Sequence, residues 1–119
     1  MKVVLSFVPP GGGETDFQLE FDLPALPQPG DYISVRREDA KEPRPGTEDF
    51  IVRRTWWGLT YPNSAPCTSP DRPTPGKLDA AYVECEFAEG PYSSEAHKKA
   101  CAMYEARGRG KREFDPSMY

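Results

Sequence analysis

The sequence predicts a mainly β, α+β domain: a five-stranded antiparallel sheet, strongly bent or barrel-like, carrying one C-terminal helix. Three observations predict it. Apolar and polar residues alternate in several short runs, and a period of two places successive side chains on opposite faces of a strand. Proline and glycine are abundant, 14 and 10 in 119 residues, so long turns separate the runs. Only one segment, opening at Ser93-Ser94-Glu95, carries the caps and spacing of a helix.

A chain of 119 residues is the size of one domain with one core. The organisation reads as a single β-rich domain with its helix over residues 1–108, followed by a basic tail over 109–119. Val3, Leu5 and Phe7 alternate in the first strand. In Thr15–Asp22, Phe17, Leu19 and Phe21 point inward while Gln18, Glu20 and Asp22 face water. Pro9-Pro10-Gly11-Gly12-Gly13 supplies the loop that folds these two strands into a hairpin.

Leu23 to Asp31 is a proline-stiffened turn ending in Pro29-Gly30-Asp31. It feeds a third strand over about Asp31–Arg37, with Ile33 and Val35 inward. Glu38–Glu48 is a charged, proline-containing loop, and the fourth strand runs from Asp49 to Leu59. Residues 61–77 hold five prolines and little to bury, which makes them the place to expect an interaction loop. The fifth strand, Ala81–Phe87, turns Ala81, Val83, Cys85 and Phe87 to the core and Tyr82, Glu84 and Glu86 to solvent. Helix capping falls to Ser93 or Ser94 at the start and Gly108 at the end, with Ala96, Ala100, Met103 and Tyr104 as the apolar stripe.

Net charge is −4, but it is unevenly spread. Acidic residues dominate the first 35 positions, and Lys98, Lys99, Arg107, Arg109, Lys111 and Arg112 crowd the end. No apolar run reaches the roughly 18–20 residues of a membrane helix, and the apolar start is cut short by Pro9-Pro10. The expectation is a cytoplasmic protein without membrane contact. Cys67, Cys85 and Cys101 lack the spacing of a zinc site or a disulfide framework and read as reduced thiols.

Catalytic chemistry finds no constellation. His97 stands alone without an orienting carboxylate and reads as a surface or boundary residue. Cys67, the one cysteine expected at the surface, has no base near it in sequence. The glycine run lacks the Lys-Ser/Thr pair of a phosphate loop and lies between strands. These readings imply no enzyme, no catalytic residue, no metal ligand and no cofactor.

Arg53-Arg54-Thr55-Trp56-Trp57 is the strongest binding candidate. Strict alternation groups Phe50, Val52, Arg54 and Trp56 on one face and Ile51, Arg53, Thr55 and Trp57 on the other. Arginine and tryptophan are enriched in interface hot spots, and they also stack on bases and neutralise phosphates in single-strand binders. The competing account is a strand decorated with structural tryptophans. Arg109, Lys111 and Arg112 join the candidate set as a short basic run, although cations at a helix C-terminus are favourable in themselves.

Leu23-Pro24-Ala25-Leu26-Pro27-Gln28-Pro29-Gly30-Asp31-Tyr32-Ile33, followed by Phe50-Ile51-Val52-Arg53-Arg54-Thr55-Trp56, resembles a pattern in small β-barrel proteins of bacteriophages and other mobile genetic elements. The resemblance spans about residues 17–57. It implies a compact binding protein that blocks a host machine, as anti-defence proteins such as CRISPR inhibitors do. The expected function is therefore a non-enzymatic protein engaging a host protein or protein–nucleic-acid complex. The rival is a small-barrel protein that binds single-stranded nucleic acid.

Overall fold

The computed structural model describes residues 1–39, 46–62, 64 and 75–118. Five strands and one helix follow in the expected order: β1 (Lys2–Val8), β2 (Phe17–Asp22), β3 (Tyr32–Val35), β4 (Glu48–Thr60), β5 (Lys77–Ala88) and α1 (Glu95–Ala106), then a 3-10 turn at Pro116–Met118. The strands form one curled half-barrel sheet in the order β2-β1-β5-β4-β3. β1–β2, β3–β4 and β4–β5 are antiparallel, but β1 and β5 run parallel, so the sheet is mixed rather than wholly antiparallel. Local hairpin signals cannot reveal such a pairing, because it joins the first strand to the last.

The core lies on the concave face. Val3, Leu5 and Phe7 of β1 meet Val83, Cys85 and Phe87 of β5 and Phe50 and Val52 of β4, all essentially buried. Phe7 and Phe50 have ring centroids 4.1 Å apart, and Phe87 stands edge-on to Phe50 at 5.2 Å. Val35, Val83 and Phe87 are buried as the alternation requires. Phe17, Leu19 and Phe21 are only half-buried, because β2 is the outermost strand on its side of the sheet.

Helix α1 closes the concave side. Ser94 caps it, its hydroxyl accepting from the His97 N–H at 3.1 Å, and Gly108 ends it at φ +83, the left-handed region open to glycine. The buried stripe differs from the expected one: His97 and Cys101 are buried, Ala100 and Tyr104 half-buried, and Ala96 and Met103 face out. His97 is therefore a core residue rather than a surface one. Its ring stacks on Phe87 at 5.4 Å, and its Nε2 lies 2.8 Å from the Ala88 carbonyl, 2.9 Å from the Asp49 carbonyl and 3.1 Å from the Asp49 N–H. A ring nitrogen there meets backbone polar groups at a strand end that an apolar side chain could not satisfy.

Beyond the barrel, β4 and β5 continue together as a two-stranded arm. β3 pairs with β4 only as far as Ile51, with Val52 held by Gly30 and Asp31, and β1 pairs with β5 only from Ala81 onward. The Cα radius of gyration, 18.1 Å against roughly 13–14 Å for a compact domain of this length, records the projection. Among the described residues no helix is long and apolar enough to cross a membrane. Most of the loop expectations for 38–48 and 61–77 fall on residues outside those described, as does Cys67.

Candidate functional site

The Arg53–Trp57 segment does not alternate as a plain strand. Val52 pairs with Cys85 and Arg54 with Glu84, so Arg53 is an extra residue in a β-bulge. One inserted residue shifts the side-chain parity. Phe50 and Val52 face the core, whereas Arg54 and Trp56, expected on that same face, lie on the outer one, opposite Glu84 and Tyr82. The sequence carries no glycine or proline to announce the bulge.

On the body of the sheet the outer face is a covered ion-pair cluster. Glu84 and Glu86, expected in solvent, are 8% and 2% exposed. Arg53 Nε lies 3.2 Å from Glu86 and Arg54 Nε 3.0 Å from Glu84, and Arg112 pairs with the Glu86 Oε1. Three arginines thus surround two carboxylates, which is what permits those carboxylates to be buried at all.

The C-terminal segment supplies the cover. The Glu89 N–H donates to the Arg112 carbonyl and the Phe114 N–H to the Glu89 carbonyl, each at 2.9 Å, so the chain runs beside the end of β5. Phe114 is buried and stacks on Tyr32 with centroids 4.1 Å apart. Arg109 donates to the Gly12 carbonyl at 3.0 Å. Lys111 bridges Glu89 and Glu113 at 2.9 and 3.0 Å, and those hydrogen bonds raise its pKa. Residues 109–118 are docked on the sheet, and their cations are engaged inside the molecule.

A second buried polar cluster ties α1 to the sheet. Asp49, wholly buried, accepts from the Ser34 hydroxyl at 2.6 Å, the Thr47 hydroxyl at 2.7 Å and the Ser93 hydroxyl at 2.5 Å. The Ser93 oxygen in turn accepts from the Gly90 N–H at 2.8 Å. His97 reaches Asp49 at its backbone, so Ser34, Asp49, Ser93 and His97 make a strut between β3, β4 and α1 rather than a proton relay. The two described thiols, Cys85 and Cys101, are buried structural groups in the same sense. Burial pushes Cys85 up to about 12 with help from the Glu84 charge, and burial with the Glu89 and Asp49 charges pushes Cys101 up to about 11. Among the described residues no group of three His, Cys, Asp or Glu side chains could hold a metal ion.

The arm is a different surface. Trp56, Trp57, Leu59, Tyr61 and Leu78 are 42, 50, 71, 44 and 40% exposed. Trp56 stacks on Tyr82 at 5.4 Å with the rings nearly parallel, and the Arg54 guanidinium lies 5.9 Å from the indole centroid. Tyr82 lies over Gly58, where an added Cβ would stand 2.8 Å from its ring, so the glycine is what lets the ring settle. Trp57, opposite the buried Ala81, belongs to the concave face beyond the reach of the core.

Of the seven candidate residues, the structure brings Arg53, Arg54 and Arg112 together around Glu84 and Glu86 and leaves the two tryptophans on the arm. Leu59, Tyr61, Leu78 and Tyr82 extend that surface and were absent from the candidate set. Leu59 and Tyr82 already lay in the expected fourth and fifth strands, whereas Leu78 was missed because β5 starts at Lys77 rather than at Ala81 and that stretch looks like loop beside so many prolines. No family model, curated protein or solved structure matches the chain.

Proposed function

We propose that this chain is a non-enzymatic binding protein that docks on another protein through the outer face of its arm. One observation carries the reading: Arg54, Trp56 and Tyr82 form a stack that is preorganised by internal contacts yet open to solvent. Aromatic and arginine side chains held in place before binding lose little entropy on contact, which is how hot spots gain their strength. The resemblance to phage proteins makes a host complex the natural partner and inhibition the natural consequence.

Charge favours a protein over a single-stranded nucleic acid. Phosphate binding draws on several cations free to act on one surface. Here Arg53, Arg54 and Arg112 are matched by Glu84 and Glu86, Lys111 by Glu89 and Glu113, and the chain is acidic overall.

The test compares wild type with the folded double variant Arg54→Ala/Trp56→Ala, using crosslinked capture from host lysate and a fluorescent oligothymidine as separate probes. The expected result is a captured protein whose affinity falls by about 30-fold or more in the variant, equivalent to about 2 kcal/mol. Oligothymidine should not bind at physiological salt. Unchanged capture by the variant overturns the assignment, and tight, salt-dependent oligothymidine binding would establish the rival.

A further inference from the structure

From the free edge of the arm we infer that the chain forms a two-fold dimer in which β4 pairs antiparallel with β4 of a second copy, centred on Trp57. Past Val52 this edge of β4 has no strand beside it among the described residues, while the opposite edge is fully laddered to β5 as far as Thr60. The backbone donors and acceptors along 53–60 are therefore laid out as a template for another strand.

The molecule's two outer edges are treated differently. The free edge of β2 carries Gln18, Glu20 and Asp22, the kind of charged guard that discourages pairing. After Arg54, β4 has no charged side chain to its end at Thr60. Its β5 partner absorbs the irregularity there, since Leu59 pairs with Leu78 and Gly58 with Ala80, leaving Asp79 as the extra residue. β4 is thus regular from Arg54 to Thr60. An edge that is long, regular and apolar needs a covering strand, and a two-stranded ribbon alone is marginal in water.

Symmetry selects the register. Directly opposed residues of an antiparallel pair share a face, so the two-fold axis must pass through a residue position rather than between two. Centring on Trp57 uses all of 54–60. It sets Trp57 against its own copy, Thr55 against Leu59, Trp56 against Gly58, and Arg54 against Thr60. No like charges oppose one another, and each Trp56 ring lies beside a glycine.

Self-complementarity supports a second copy as the occupant: the edge that is uncharged after Arg54 meets the same uncharged edge, and Trp57 and Leu59, 50 and 71% exposed, gain Trp57 and Thr55 of the copy as cross-strand neighbours. The outcome is a four-stranded sheet made from two ribbons. It leaves the Arg54–Trp56–Tyr82 face of each copy open and places the two faces side by side.

Sedimentation equilibrium of the full chain across micromolar to millimolar concentrations tests the inference. The mass should rise from 13.3 kDa toward twice that value. Trp57→Lys, which sets like charges at the axis, should hold the protein monomeric at every concentration with an unchanged circular dichroism spectrum. In a Cys67→Ser background, Trp57→Cys should form an intermolecular disulfide under mild oxidation while Lys77→Cys does not. A wild type that stays monomeric overturns the pairing, as does a dimer that survives Trp57→Lys or fails to crosslink at position 57. None of these results bears on the outer-face reading, whose own variant keeps Trp57.

Discussion

β4 and β5 each have two halves that obey different rules. In the body, Val83 to Ala88 are buried without exception, the core covering one face and arginines with the C-terminal segment covering the other. In the arm, Lys77 to Asp79 of β5 and Trp56, Trp57, Leu59 and Thr60 of β4 are exposed. The same pair of strands thus begins as the centre of a core and ends as a bare ribbon. Large apolar side chains on the body hold the fold together, whereas those on the arm keep much of their surface in water and contribute far less until something covers them.

The largest expected contrast between the halves is in stability. Phe50→Ala removes a ring packed against Phe7, Phe87 and His97 and should cost about 3–5 kcal/mol in chemical denaturation. Leu59→Ala, at 71% exposure, should change stability by less than about 0.5 kcal/mol. Comparable losses at the two sites would mean the arm is part of the core.

The outer face offers a smaller contrast. Glu86→Gln leaves the buried position beside Arg53 and Arg112 without its charge and should cost about 1–3 kcal/mol. Arg54→Ala, whose side chain is 70% exposed, should cost less than about 1 kcal/mol when unfolding is followed by urea titration. Equal effects would show that the cover over Glu86 opens readily.

The smallest effect is invisible at neutral pH. Burial raises the Cys85 thiol from 9.0 to about 12, so the folded chain keeps a proton that the unfolded chain releases. The stability tied to that proton is complete below about pH 9 and is lost as pH rises toward about 12. Cys85→Ala should therefore show a shallower alkaline decline than wild type, although it is less stable at neutral pH. No cysteine titrates on the described part of the arm, and Trp57→Ala should keep the wild-type slope.

How much of this was readable depended on how local the cause was. The β1–β2 hairpin, the order of five strands and the Ser94-capped helix each follow from residues a few positions apart. The arm was half-visible: Trp56 and Trp57 stood out by type, but Leu78 and Tyr82 gained meaning only once β5 lay opposite β4. Glu84, Glu86 and His97 were misread because a polar residue looks exposed until its partners are known. Those partners, Arg53, Arg112 and the Ala88 and Asp49 carbonyls, come from other elements of the fold.

By itself, then, the sequence determined the period of each strand, the turns between them and the caps of the helix, since steric preference and backbone hydrogen bonding act over a few residues. Only the tertiary structure decided that β1 lies parallel to β5, that Arg53 is the inserted residue, and that the basic C-terminal segment pairs with Glu86 and Glu89 on the sheet side instead of trailing in solvent. Pairing between distant strands and the neutralisation of buried charge depend on which surfaces meet in space, and no local pattern in the chain encodes that meeting.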